Sequence, residues 1–283
     1  MSTRLTLAVP KKGRLSEDTF ALLKKAGLSF RITDRSLKVE VRNFPLDLLL
    51  LRTADIPGIV AENIAEIGVT GQNDVAEYDY PVRSLLPLGF GRCSLCLAFP
   101  DGNESTEISG KRIATSYPNL LDAYLKKNGV NAQAIKLAGS IELAPKLGIA
   151  DLVCDLVSTG STLRSNGLTK GDQIFKSEAV IVGAESIDTN KQELLDKLLF
   201  RVKAVLAAKK YRYVIMNASR NVIPEIENCI PGLKKPTISP LADSEMVSIA
   251  SVIEEDYFWA TIENLKSAGA SGIVVLPIEK LVL

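Results

Sequence analysis

From residue 5 to residue 157, short apolar runs alternate with amphipathic stretches of helical length, and that exchange narrows the possible folds sharply. Leu5 to Pro10 reads as a strand, followed by the polar turn Lys11-Lys12-Gly13-Arg14. Ser16 offers an N-cap to a helix with acids in its first turn and lysines in its last, as the helix dipole favours. Gly27 ends that helix. A strand over 47–51 leads to an amphipathic stretch over 55–65 and then to a strand and turn over 67–71. The pattern continues with strands at 112–115, 134–137 and 151–157 and helices at 118–127 and 141–147. Strands spaced by helices of this length build parallel, doubly wound sheets. Two such sheets leave a cleft between them, with one lobe expected at about 1–91 and 177–206 and the other at about 92–176.

Beyond residue 207 the rhythm changes. Strands are expected at 211–217, 236–239, 246–253 and 272–276, with helices at 221–228 and 256–268. That order, β-α-β-β-α-β, is the split βαβ arrangement of ferredoxin-like modules. The expected fold class is therefore α/β, with a region over 1–206 of two lobes around a cleft, like the periplasmic binding proteins. A ferredoxin-like βαββαβ domain follows over 207–283.

Composition removes whole classes of chemistry. The chain has 283 residues and no histidine, so neither a Ser-His-Asp triad nor an HExxH zinc site exists in it. With 34 basic against 33 acidic residues, it is not built chiefly to neutralise nucleic-acid phosphates. No apolar run is long enough to span a bilayer, and the first residues are too short in apolar content for a secretory signal. The expectations are a cytoplasmic protein with neither nucleic acid nor membrane as partner. Cys93 and Cys96 form a C-x-x-C on a strand, where side chains three apart face opposite ways and share no metal or disulfide.

The sharpest chemical signal is the segment from Asp151 to Leu163. A hydrophobic strand delivers Asp155 near its C-terminal end, and Ser158, Thr159, Gly160, Ser161 and Thr162 follow Val157 into a helix start. Backbone N–H groups at such a start, opened by the glycine, cradle a phosphate, and the hydroxyls add donors without charge. Asp155 lies where it would meet ribose hydroxyls or orient a metal ion. Asp151, four residues earlier, would share its face of the strand and make a paired-carboxylate Mg²⁺ site. Lys11, Lys12 and Arg14 bring cations to the edge where ligands of α/β sheets sit. Arg52 and Asp55 end the next strand, as substrate contacts or as an ion pair. Thr70 to Asn73 reads as an anion-accepting turn or a tight bend. Arg92 and Arg164 stand near further turns.

The acid-x-x-x-T-G-x-T spacing resembles the ribose-5-phosphate loop of phosphoribosyltransferases. The longer string over 155–168 is similar to one family, the ATP phosphoribosyltransferases of histidine biosynthesis. Segments at 10–15, 51–57, 68–73, 110–118 and 139–145 match that family in order, and the tail over 276–280 resembles its long form, which has a C-terminal histidine-sensing domain. The resemblance implies transfer of the phosphoribosyl group of phosphoribosyl pyrophosphate to N1 of ATP, with Mg²⁺ and with pyrophosphate as leaving group. It implies catalytic roles for Arg14, Glu142 and Asp155. Phosphoribosyl pyrophosphate would sit on Glu142, Asp155 and residues 157–162; ATP would sit on Lys11, Lys12, Gly13, Arg14, Leu15, Arg52, Asp55, Thr70 and Gly71. It further implies feedback inhibition by histidine, bound at Leu233, Thr237, Ser239, Ala270 and Gly272, and a homo-oligomer that is dimeric or hexameric. The strand end Met216-Asn217-Ala218-Ser219 lacks the carboxylate that some relatives place there. Tyr257, Phe258 and Trp259 read as core or subunit contact.

Two other readings compete. A nucleobase phosphoribosyltransferase would share the loop, although Cys154 stands where many of those enzymes carry a second acid. A solute-binding module without catalysis would share the two-lobed cleft.

Overall fold

The computed structural model describes residues 3–102, 107–230 and 235–283. The first sheet contains β1 (Leu5–Pro10), β2 (Lys38–Glu40), β3 (Leu46–Leu51), β4 (Ile67–Gly71), β5 (Val82–Pro87) and the later β11 (Ala179–Ala184), in the order β2-β3-β1-β4-β11-β5. Its centre is parallel: β1 runs beside both β3 and β4. β11 returns antiparallel between β4 and β5, closing the sheet with a mixed edge. Helices α1 (Arg14–Lys25), α2 (Ile56–Ala61) and α3 (Gln72–Tyr78) accompany these strands. Every residue of β4 and β11 is buried, as central strands covered on both faces require.

The second sheet holds β6 (Cys93–Pro100), β7 (Arg112–Thr115), β8 (Gln133–Lys136), β9 (Leu152–Val157) and β10 (Leu168–Ser177), in the order β10-β6-β9-β7-β8. β7 is parallel to β8 and β9, whereas β6 is antiparallel to β9 and β10. Both sheets are thus parallel at the core; the first has antiparallel pairings at both sides, β2 on β3 and β11 between β4 and β5, and the second at one side only. The strands that run against the parallel core, β2, β6 and β11, carry no local sign of their direction, and the expected parallel sheets are corrected there. Helices α4 (Pro118–Asn128) and α5 (Ser161–Ser165) belong to this layer.

Some element limits also differ. α1 begins at Arg14, directly after Gly13 at φ +86°, so Ser16 is a buried residue inside the helix and not its N-cap. The helix expected over 141–147 shortens to a single 3₁₀ turn, Ile141–Leu143, entered through Ser140 in the left-handed region at φ +47°.

By packing, the described chain divides into one unit of 1–24 and 28–195 and another of 25–27 and 196–283. The division falls inside α6 (Thr189–Ala208), ahead of the expected limit at 207. Lys191 near the start of α6 pairs with the buried Glu66, which also accepts the Thr6 N–H at 2.7 Å. Farther along, the Ala204 carbonyl accepts the Leu281 N–H at 2.9 Å, which ties the end of the helix to the C-terminal unit.

That unit contains β12 (Tyr211–Ser219), α7 (Ile223–Cys229), β13 (Thr237–Pro240), β14 (Met246–Glu254), α8 (Phe258–Ser267) and β15 (Ser271–Pro277). The sheet is antiparallel in the order β13-β14-β12-β15, the split βαβ pattern. Buried residues alternate along β14, because the helices cover one face only. Ile226 of α7 and Leu265 of α8 meet Val214, Met216, Ile249 and Ile253 in this core, each side chain contributing about 1.5–3 kcal/mol by leaving water. Phe258 packs against that core, while its neighbours Tyr257 and Trp259 stay exposed.

Candidate functional site

The strand β9 ends at Val157, and from there the chain turns through Ser158, Thr159 and Gly160 into α5. Val157 and Leu163 are buried and anchor the two ends, so the four hydroxyl residues between them project outward. Gly160 sits at φ +73°, a left-handed conformation that a side chain would strain. No side chain caps α5. Its first N–H groups follow directly on Thr159 and Gly160, and Thr159 Oγ1 and Ser161 Oγ lie 3.1 Å apart. Arg164 closes the back of the loop by donating from Nη2 to the Thr159 carbonyl at 3.2 Å.

A cavity of about 130 Å³ opens over this loop, lined by residues 155–163, Glu142 and Arg14. Arg14 comes from the first sheet's layer, at the first residue of α1, whereas Glu142 and the loop belong to the second. Asp155 is half-buried and accepts the Leu156 N–H at 2.7 Å through Oδ1. Burial raises its carboxyl above the ordinary range; the Leu156 N–H opposes that, and the nearby Glu142 charge reinforces it. The structure thus brings together Arg14, Glu142, Asp155, Val157, Ser158, Thr159, Gly160, Ser161 and Thr162 from the sequence-derived set.

The other basic-turn residues sit at the same sheet edge. Lys11 donates its N–H to the Leu51 carbonyl at 2.8 Å, which places Lys11, Lys12 and Gly13 beside the exposed Arg52 and Asp55. Arg52 and Asp55 meet through a backbone hydrogen bond of 3.0 Å, not through an ion pair among the described residues. Leu15 is half-buried and crowds Gly91, where an added Cβ would meet its Cδ1 at 3.1 Å.

Two expectations require correction. Thr70 to Asn73 is not an open anion-accepting turn, because β4 runs directly into α3. Thr70 is fully buried, with its hydroxyl at 3.2 Å from the Thr53 carbonyl and 3.4 Å from Asp74 Oδ2, and Gly71 is buried beside Asn73. Asp151 and Asp155 do not form a carboxylate pair. Four residues of strand separate them by about 13 Å, and Asp151 is bound to Arg112, whose backbone N–H and Nη2 reach it at 2.8 and 3.0 Å. Those bonds hold the Asp151 carboxyl below its ordinary range.

Cys154 is fully buried, and burial raises its thiol far up, so it supplies no second acid beside Asp155. Cys93 and Cys96 are both free. In the C-terminal unit, Thr237 and Ser239 lie on β13 and Gly272 on β15, the two opposite edges of the four-stranded sheet. One chain does not bring them together. Ala270 belongs to the core, and Leu233 lies outside the described residues.

Sequence reasoning missed a buried polar cluster among α3, the start of α4 and the end of β10. Asn73 donates to Asp74 Oδ1 and reaches the Tyr117 hydroxyl, both at 3.1 Å, and accepts from Ser177 Oγ at 2.7 Å. Next to it, Glu77 is 2% exposed and accepts the N–H groups of Asn119 and Leu120, each at 3.0 Å. These partners lie far apart in the chain, so no local spacing announces them. Burial pushes the Asp74 carboxyl up to about 6, against the lowering effect of Thr70 and the Gly71 N–H. The folded chain therefore holds this proton more tightly than the unfolded chain, and its stability falls as pH rises from 3.8 toward 6. Asp74→Asn should remove that fall, with a gain over the parent of at most about 3 kcal/mol above pH ~7 and none below pH ~4. Melting midpoints of both proteins across that range check it; a difference independent of pH would contradict it.

A family model described as "HisG: ATP phosphoribosyltransferase" matches residues 52–204, and "HisG, C-terminal domain" matches 208–280. An ATP phosphoribosyltransferase of Cytophaga hutchinsonii is 44% identical over 285 residues, covering 100% of each chain. One of Bacteroides fragilis is 44% identical over 282 residues, covering 99% of this chain and 100% of its own. Among solved structures, the ATP phosphoribosyl transferase (HisG:HisZ) complex from Thermotoga maritima aligns with a TM-score of 0.64 at 31% identity, over 72% of this chain and 98% of that one.

Proposed function

This chain belongs to the ATP phosphoribosyltransferase family, which transfers a phosphoribosyl group from phosphoribosyl pyrophosphate to ATP in histidine biosynthesis, and we propose that the transfer occurs in the cavity shared by Arg14, Glu142, Asp155 and the 157–162 loop. The observation that carries this assignment is the joint lining of one cavity by a cation from one layer and two acids and a hydroxyl loop from the other.

In this reading the loop takes the 5-phosphate, using hydroxyls and the uncapped first turn of α5. Asp155 and Glu142 accept hydrogen bonds from the ribose hydroxyls. As the C1–O bond breaks, its electron pair leaves with pyrophosphate, and the N1 lone pair of adenine forms the new bond to C1. Arg14 stabilises the charge that grows on the leaving group. Adenine N1 is already a free lone pair, so no base must remove a proton to create the nucleophile. Positioning and electrostatics suffice, and the absence of histidine costs the reaction nothing.

Among the described residues no group of three or more acids or thiols forms a cage for a metal ion. Two carboxylates on one cavity nevertheless suit Mg²⁺, which binds through one or two carboxylates plus substrate phosphates. Asp155 and Glu142 would hold it, and bound there it would offset pyrophosphate charge.

The ferredoxin-like unit is the proposed site of histidine control. Thr237 and Ser239 lie on one sheet edge and Gly272 on the other, so a histidine pocket using all three needs a second copy of the chain. That requirement supports a homo-oligomer, dimeric or hexameric; the proposed cytoplasmic location rests on the family's biosynthetic role. Among the described residues no helix is long and apolar enough to cross a membrane.

The test is an initial-rate assay with ATP, phosphoribosyl pyrophosphate and Mg²⁺, with and without histidine. One pyrophosphate should appear per ATP consumed, and histidine should slow the reaction. Asp155→Asn and Glu142→Gln should each raise the KM for phosphoribosyl pyrophosphate about tenfold, with far less effect on ATP. No turnover with both substrates present would sink the assignment.

A further inference from the structure

A second cavity, of about 490 Å³, shares Val157 and Ser158 with the loop cavity but is walled by different side chains. Arg92, just ahead of β6, and Lys170 and Lys176, on β10, supply its cations, and Gln72, Ser94, Ser177 and Glu178 are among its other polar groups. The strand register explains the convergence. Ser94 pairs with Lys176 and Ala98 with Lys170, so four steps on β6 face six on β10, with irregularities on either side of Gln173. The surplus is even, which keeps both lysines on the same face of the strand.

The charges in this cavity are poorly matched within the chain. Arg92 Nε stands 3.6 Å from Glu178 Oε2, and that oxygen is buried with no hydrogen-bond partner. Arg92 is 77% exposed, and both lysines are exposed. Among the described residues no carboxylate pairs with Lys170 or Lys176 within 4.0 Å. Three cations thus face one carboxylate in a concave space, an arrangement that concentrates multivalent anions.

We propose that Arg92, Lys170 and Lys176 form a polyphosphate subsite beside the phosphate loop, with Glu178 acting as a positioning residue that holds Arg92 at its rim. The proposal rests on the transferase reading of the loop. The occupant is the di- or triphosphate chain of a substrate, and the two sources are the triphosphate of ATP and the diphosphate of phosphoribosyl pyrophosphate.

The direct test is calorimetric binding of inorganic triphosphate to the full chain, with ribose 5-phosphate present to fill the loop. Combined Arg92→Ser, Lys170→Ser and Lys176→Ser should weaken binding by about tenfold or more at low salt, an effect that shrinks as salt screens the exposed charges. Combined Arg92→Lys, Lys170→Arg and Lys176→Arg should restore most of the affinity. Near-ultraviolet circular dichroism checks that both variants fold.

Steady-state kinetics then separates the sources. A selective rise in KM for ATP in the serine variant assigns the triphosphate, and a selective rise for phosphoribosyl pyrophosphate assigns the diphosphate. Unchanged triphosphate affinity, or unchanged KM for both substrates, overturns the subsite. If the parent binds triphosphate in this cavity but never turns over, the transferase reading fails and the subsite stands. If turnover is normal and the serine variant binds like the parent, the subsite fails alone.

Discussion

Arg14→Ala is expected to lower kcat by about 100-fold or more, the usual cost of removing one donor aimed at developing charge. Its melting midpoint should stay close to that of the parent. The two effects separate because of where Arg14 sits. Its side chain is exposed at the first residue of α1, so truncation leaves no void in a core. A cation at a helix N-terminus also opposes the helix dipole, so its loss is neutral or slightly favourable to the helix. Parallel measurement of kcat and midpoint decides the matter. Equal losses in both would mean that Arg14 holds the turn together and does not act on the reaction.

Glu77→Ala should produce the largest loss of stability, about 3 kcal/mol, since hydrogen bonds to a buried charged group are each worth roughly 1.5–3 kcal/mol. Its carboxylate reaches from α3, in the first sheet's layer, to two N–H groups at the start of α4, in the second sheet's layer. Pro118, the first residue of α4, has no N–H, so Asn119 and Leu120 present the first free donors of that helix. Alanine would leave both without acceptors, and the midpoint should fall by roughly 10 °C. Glu77→Gln keeps one acceptor and should lose about half as much. Calorimetric scans of the three proteins measure this directly; an unchanged midpoint in Glu77→Ala would show that water replaces the carboxylate.

The contrast between these two residues explains what the sequence made legible. Arg14 and the 157–162 loop were readable because their signals are local: a basic turn after a strand, and hydroxyls around a glycine after another. The split βαβ of the C-terminal unit was readable for the same reason, since apolar periodicity marks each of its elements in turn. Glu77 was not readable, because its partners lie more than forty residues away and meet it only after both sheets have formed. Lys170 and Lys176 were hidden in a polar strand containing Gly171, whose irregular pairing shows in no period-two pattern. Thr70 and Asp151 misled in the opposite direction. Both look like ligand groups by type, yet the folded chain uses them internally, one beneath the start of α3 and one in an ion pair at the far end of β9.

The proposed site needs no proton-abstracting base, because adenine N1 would attack as a free lone pair while cations and fixed donors take up the leaving-group charge. The most direct measurement is the pH dependence of kcat with both substrates and Mg²⁺ saturating. A flat profile is expected between about pH 7 and pH 9, since no imidazole exists in the chain to titrate near neutrality. A kcat that climbs tenfold per pH unit through an apparent pKa in that window would reveal an essential base and contradict it.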